Sequence, residues 1–165
     1  MADIEYTDQI VPSVLDRLID DNPGVSRDAP KLRVQAMREL RRSVRRDIEE
    51  LLNTRQTILD WSDDLDQVEY SMIDFGTPDF SSLSLTSEEA RQRFRALIEE
   101  RIRKLEPRFK SVEVRLVANA DPLDRTLRFH IDAWIFVDPA PERVDFDSLL
   151  EPVSRTFTVK GEAGE

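Results

Sequence analysis

Cysteine is absent from this 165-residue chain, histidine occurs once, at His130, and glycine only four times. Each shortage excludes a class of chemistry. Without thiols there is no disulfide framework and no thiolate nucleophile, and one imidazole cannot fill the usual zinc ligand sets. Four glycines provide no phosphate-cradling loop, and a lone histidine cannot complete a triad with a nucleophile that nothing marks. His130 therefore reads as a strand residue and no cofactor is expected, although a purely carboxylate site for magnesium or calcium stays open. No apolar run approaches the roughly 18 residues that argue for a membrane span. The start, Met1-Ala2-Asp3-Ile4-Glu5, has neither the basic nor the apolar region of a signal peptide. The expectation is a soluble, cytoplasmic protein without membrane insertion.

Charge, by contrast, is abundant and unevenly placed. The formal net charge of −10 argues against free nucleic acid as a partner, because phosphate binding is driven by lysine and arginine displacing counterions. Residues 31 to 56 nevertheless carry eight basic and four acidic side chains. Residues 60 to 79 carry seven acidic and no basic ones, and residues 86 to 110 are basic again, eight against five. Basic helices thus alternate with acidic connections. The pattern reads either as a solvated surface with internal complementarity or as docking ground for charged protein partners.

The length suits one domain that buries about two-thirds of its unfolded surface. Val14, Leu15, Leu18 and Ile19 recur at helical spacing after Pro12, and Asn22-Pro23-Gly24 stops them. A helix so short is marginal alone and must pack on this domain or on another subunit. After Pro30, Met37, Leu40, Val44, Ile48, Leu51 and Leu52 form the stripe of a helix over 31–53. Arg41, Arg42, Arg45 and Arg46 read as its solvated face, partly paired with Glu39, Asp47, Glu49 and Glu50. Residues 54–85 read as irregular, with Met72, Ile73, Phe75 and Phe80 tying the second half to the core. Thr86-Ser87-Glu88-Glu89 is a capping box with Thr86 as the cap, and Phe94, Leu97, Ile98, Ile102 and Leu105 carry the next helix to Glu106-Pro107.

From 111 the period falls from about 3.6 to 2, with Val112, Val114, Leu116 and Ala118 on one face. A turn at Asp121-Pro122-Leu123-Asp124 follows. In the second strand Leu127, Phe129, Ile131, Ala133, Ile135 and Val137 line one side, and Arg128, His130, Asp132, Trp134 and Phe136 the other. Strands around 144–146 and 153–159 complete an antiparallel sheet. The expected fold is α+β: two long amphipathic helices packed on a small antiparallel sheet, with an additional short N-terminal helix. Residues 1–30 are assigned to an N-terminal docking helix and linker, 31–160 to a single domain and 161–165 to a tail.

Glu106 is the electrostatic oddity. An anion near a helix C-terminus meets the negative end of the dipole and loses a fraction of a kcal/mol, so something must offset it. Arg108 is the local candidate, through a bidentate pair that locks the helix exit. That pair is either a structural clasp or a feature presented to a neighbouring subunit, with Arg108 outward and Glu106 holding it. An enzyme reading is the alternative. Glu106, between Leu105 and Pro107, could serve a lysozyme-like peptidoglycan hydrolase as general acid, but no motif singles out the second carboxylate that this chemistry needs.

Several strings, in order, resemble one family. They are Pro12-Ser13-Val14-Leu15-Asp16-Arg17-Leu18, Leu51-Leu52-Asn53-Thr54-Arg55, the segment 71–80, Leu105-Glu106-Pro107-Arg108-Phe109, Leu127-Arg128-Phe129 and Val144-Asp145-Phe146-Asp147. Across nearly its whole length the chain is similar to the type VI secretion baseplate subunits of the TssE family, themselves related to the lysozyme-like wedge proteins of contractile phage baseplates. The resemblance implies a structural, non-enzymatic subunit joining the baseplate wedge to the first layer of the contractile sheath. Its implied partners are the wedge subunits TssF, TssG and TssK and the sheath protein TssB-TssC. The family's Glu-Pro-Arg triplet contacts the helical core bundle of the wedge, which carries that role to Glu106, Pro107 and Arg108. A sheet edge would receive strands from the sheath by β-augmentation, and the strand end at Trp134 and Phe136 suits such a site. Two departures stand out: Asp74 and Phe75 replace the family's asparagine and tyrosine before the glycine, and the extra N-terminal helix is assigned to docking on another wedge subunit.

Overall fold

The computed structural model describes residues 10, 13–19, 23–24, 32–57, 62, 64–65, 67–79, 87–119, 124, 126–151 and 154–161. Several sequence expectations fall outside them: Pro12, Asn22 and Pro30 as helix punctuation, Phe80 as an anchor, Thr86 as a cap, the turn residues 121–123 and the tail from 162. Among the described residues the architecture is mixed α+β, with helices and one four-stranded antiparallel sheet.

The elements are α1 (Val14–Leu18), α2 (Arg33–Asn53), a single 3-10 turn (Val68–Tyr70), α3 (Glu88–Leu105), β1 (Phe109–Val117), β2 (Leu127–Ile135), β3 (Glu142–Glu151) and β4 (Thr156–Gly161). The strands form a meander in the order β1-β2-β3-β4. Period-two alternation assigns the faces: Leu127, Phe129, Ile131, Ala133 and Ile135 are buried, while Arg128 and Trp134 are exposed. The buried face is covered by α2, lying over β4, and α3, lying over β1. Val44, Ile48 and Leu52 from α2 meet Phe94, Ile98 and Ile102 from α3 in one core. At its centre Phe94, Phe129 and Phe157 form a triangle with ring centroids 6.0 to 6.4 Å apart. Among the described residues, no helix lies against the other face of the sheet.

Helix α3 starts one residue later than the capping box implied. Ser87 is the N-cap, its hydroxyl accepting the Ala90 N–H at 3.2 Å. The third strand runs longer than the expected 144–146, because β3 pairs with the whole of β2, from Leu127↔Leu150 to Ile135↔Glu142, while the fourth starts later than expected, at Thr156.

Between α2 and α3, the second half of the connection is tied down, by Phe75 as expected and also by polar residues that the sequence did not mark. Met72 is 83% exposed and Ile73 is exposed too, while Phe75 packs against the core. The rest of the anchor is polar. Arg101, buried on α3, donates to Gly76 O at 2.8 Å, to Asp74 Oδ2 at 2.9 Å and to Asp74 O. Gln56 donates to the other Asp74 oxygen, and Thr77 bonds Leu52 O through its hydroxyl and Thr54 O through its N–H. Gly76, at φ 111°, lets the chain turn flat against the end of α2, where a Cβ would lie 2.5 Å from Thr54 O.

Candidate functional site

Helix α3 ends at Leu105 because Pro107 disfavours helical geometry at the residue before it, and Glu106 is found at φ −112°, ψ 86°. Its N–H still reaches Ile102 O at 2.9 Å. The turn points the Glu106 side chain inward, where the residue is only 6% exposed. There Arg108 answers it with a bidentate pair: Nε to Oε1 at 2.7 Å and Nη2 to Oε2 at 2.6 Å. The Arg108 N–H adds a third bond to Oε1 at 3.1 Å. This is the counterion that the helix dipole required. Pro107, between them, is exposed.

The Arg108 guanidinium does not end at Glu106. It turns toward α2, donating to Asp47 Oδ2 at 2.6 Å and to Ser43 Oγ at 3.2 Å. Burial alone would lower the arginine's pKa, but Glu106 and Asp47 outweigh that and raise it. Asp47 in turn accepts from Arg46 at 2.9 Å, and Arg46 reaches Asp16 of α1 at 2.8 Å. Asp16 also accepts from Ser13 at 2.6 Å and from Ser43 at 2.5 Å. Burial pushes the Asp16 carboxyl up, yet its hydrogen bonds from Ser13, Ser43 and Arg46, with the Arg46 charge, bring it down to about 2. One continuous polar network therefore runs from the exit of α3, across α2, to α1.

Sequence reasoning missed most of this network. The sequence places Arg46 on a solvated face pairing at helical spacing; in the structure it joins its neighbour Asp47 and Asp16, 30 positions away. Arg45 likewise reaches across to Val159 O at 3.1 Å. The available signal was Ser43 and Asp47, four residues apart on one side of α2 and flanking its buried stripe at Val44 and Ile48.

The other expected contact residues lie at the same corner. Phe136 N–H donates to Arg108 O at 2.9 Å, so the triplet's backbone is stitched to the end of β2. Trp134 and Phe136 are 45% and 60% exposed. Beside them Asp132 bonds Arg143 at 2.5 Å and Arg115 at 2.7 Å, and the Arg143 bond foremost holds its carboxyl below the usual range. His130 Nδ1 lies 2.9 Å from Asp147 Oδ1 across the strand pair.

Both sheet edges are largely capped by side chains. On β1, Glu99 accepts the Val114 N–H at 3.2 Å, Arg95 donates to Val114 O at 2.9 Å and Arg103 to Val112 O at 3.4 Å. On β4, the Asn53 amide bonds both the N–H and the C=O of Phe157, at 2.8 and 2.9 Å. Alternation along β1 turns the Leu116 backbone to the same side as Val114, beyond the reach of those caps. A groove of about 430 Å³ opens there, lined in part by Glu88, Arg91, Leu116, Val117 and Asn119. No cluster of three or more acidic or histidine side chains arranged to hold a metal occurs among the described residues, and none of their helices is long and apolar enough to cross a membrane.

These elements define a small α+β scaffold whose charged side chains brace a helix exit, a loop and two sheet edges. The family model for baseplate wedge protein gp25 matches residues 38–140, and the chain belongs to that family, which is also that of the type VI secretion subunit TssE. A structural role in a phage or type VI secretion baseplate, in contact with other baseplate components, follows from that membership. The match includes Glu106, Pro107, Arg108, Trp134 and Phe136, and leaves out α1. No curated protein and no solved structure matches the chain.

Proposed function

We propose that this chain is a non-catalytic subunit of a type VI secretion baseplate that links the wedge subunits TssF, TssG and TssK to the first layer of the TssB-TssC sheath in the cytoplasm. The observation that carries the reading is the corner where the backbone of the Glu106–Arg108 clasp is bonded to Phe136, at the exposed end of β2, within the family-matched region. The clasp holds Pro107 and the outer part of Arg108 in a fixed position, and a preordered surface loses less entropy on binding. Both Glu106 oxygens are engaged by Arg108, which leaves the best candidate for a general acid occupied. For the sheath contact, the free backbone at Leu116 is where an added strand would start, and further pairing along β1 would displace Arg95, Glu99 and Arg103.

The test is co-purification of the full chain with co-expressed TssF, TssG and TssK. Wild type is expected to recover the wedge, and Phe136→Asp, at a 60% exposed position that leaves Pro107 and the clasp in place, to lose it without loss of thermal stability. Recovery of no wedge subunit by wild type would overturn the assignment. The hydrolase alternative predicts peptidoglycan cleavage between about pH 4 and pH 8 that disappears in Glu106→Gln. We expect no cleavage by either protein.

A further inference from the structure

The cover on the β1 edge reproduces a strand's hydrogen bonds without being a strand. Glu99 accepts the Val114 N–H at 3.2 Å while Arg95 donates to the Val114 C=O at 2.9 Å. One residue of the edge thus has both backbone groups satisfied from the same side, as an added antiparallel strand would do at every second position. Glu99 also accepts from Arg95 and Arg103, each at 2.6 Å, and Arg103 reaches on to the Val112 C=O at 3.4 Å. Arg95, Glu99 and Arg103 follow one another at four-residue spacing, so a single side of α3 supplies the whole cover.

The row stops one step short. Arg91, the next residue of this series, lines the same groove as Leu116, but it pairs with Glu88 at 3.0 Å and its Nε is buried without a partner among the described residues. Alternation turns the Leu116 N–H and C=O the same way as those of Val114, and no side chain among the described residues meets them. The edge is therefore covered at Val112 and Val114 and open at Leu116, where the groove of about 430 Å³ gives an entering chain room.

An edge is blocked outright by proline or an inward-pointing charge in the strand itself. Here the cover is made of rotatable side chains on a neighbouring helix, and Arg95, Glu99 and Arg103 are 27%, 18% and 58% exposed, so they can turn to water when a strand takes their place. A strand that meets Val114 first must break two hydrogen bonds before it makes any. A strand that pairs first at Leu116 is tethered there, and the exchange at Val114 becomes an intramolecular step.

We propose that Arg95, Glu99 and Arg103 form an autoinhibitory latch on the β1 edge, released by a strand that pairs first at Leu116 and then takes Val114 from Glu99 and Arg95. This rests on the sheath reading and adds to it how that edge is kept closed before the sheath strand arrives.

Glu99→Gln keeps an acceptor for the Val114 N–H and removes both ion pairs that hold the arginines. The full chain, wild type or variant, is titrated with purified TssB-TssC at concentrations where each form of the chain is monomeric. Because the open fraction limits apparent affinity, the variant is expected to bind about tenfold more tightly than wild type. Pulse-labelled amide exchange during binding is expected to show the Leu116 amide protected before that of Val114. Equal or weaker binding by Glu99→Gln overturns the proposal, and so does protection of Val114 no later than Leu116. If wild type binds and either of these results fails, the latch is wrong and the sheath contact stands. Binding by the variant alone supports the latch. If neither protein binds TssB-TssC, the sheath contact itself fails and the latch with it.

Discussion

The guanidinium of Arg101 and the carboxylate of Asp74 meet at 2.9 Å with side chains only 9% and 3% exposed, a buried ion pair that joins α3 to the loop before it. Burial pushes the Asp74 carboxyl up, but Arg101 foremost, with Gln56 and Lys104, brings it below the ordinary value. Removing Arg101 leaves the buried Asp74 carboxylate with Lys104, at 3.5 Å, as its one remaining cation among the described residues. Arg101→Ala is therefore expected to cost roughly 3–5 kcal/mol in urea denaturation. Replacing both partners together, as Arg101→Met with Asp74→Leu, is expected to recover more than half of that loss. A single variant within about 1 kcal/mol of wild type would show that the pair does not hold the loop.

Gly76 tests the same anchor from the backbone side. An added methyl would meet Thr54 O at 2.5 Å, and φ 111° is strained for any L side chain. Gly76→Ala is expected to destabilise by roughly 2–4 kcal/mol and to raise amide exchange at Gln56 and Thr77, whose N–H groups close this junction. Unchanged exchange at those two amides would mean that the close approach to α2 is not needed.

Arg101 also shows where the sequence is legible and where it is not. The strands can be read because period-two burial is a local property: Leu127, Phe129, Ile131, Ala133 and Ile135 announce their face unaided. Arg101 carried a local signal too, standing seven residues after Phe94 and three after Ile98 on the buried stripe of α3, which marks it for burial despite its charge. Its partner Asp74 carried none, since nothing in an acidic connection separates a buried carboxylate from solvated ones. The same limit hid the outward-facing Met72: hydrophobicity predicts burial on average, and the polar anchor beneath it is a long-range contact. Of the corner site, the Glu106–Arg108 pair could be inferred from the helix dipole and the proline. The extension to Asp47 and Asp16 could not, because it depends on how α1 and α2 pack.

The Asp16 carboxyl makes the seat of α1 pH-dependent. A folded-state value near 2 against an ordinary 3.8 means that its contribution is fully present above the ordinary value and is lost as pH falls through the folded one. The difference corresponds to roughly 2 kcal/mol. Hydrogen exchange at the Arg17 and Ile19 amides, which bond Ser13 O and Leu15 O, reports it directly. Protection in wild type should exceed that in Asp16→Asn near neutrality, and the two should converge as pH approaches about 2. Equal protection at neutral pH would show that the carboxylate does not seat the helix.

Glu99 is expected to guard the edge of β1. A strand edge with unpaired N–H and C=O groups is a template for another strand, and here the Val112 C=O and the N–H and C=O of Val114 are occupied by Arg103, Glu99 and Arg95. Glu99 is the centre of this cover: besides the Val114 N–H it accepts from Arg95 and Arg103, each at 2.6 Å, and so holds both arginines along the edge. Burial raises its carboxyl, while the Val114 N–H and the two arginines lower it further than burial lifts it. Glu99→Ala opens the Val114 N–H and frees the arginines at once. The expected stability loss is modest, about 1–2 kcal/mol, because the exposed amide can turn to water. The larger effect is expected in association: sedimentation velocity should show concentration-dependent self-association absent from wild type, and lost again when Leu116→Lys adds a charge beside the free backbone. A Glu99→Ala protein that sediments like wild type at every concentration would mean that the helix blocks this edge by bulk alone.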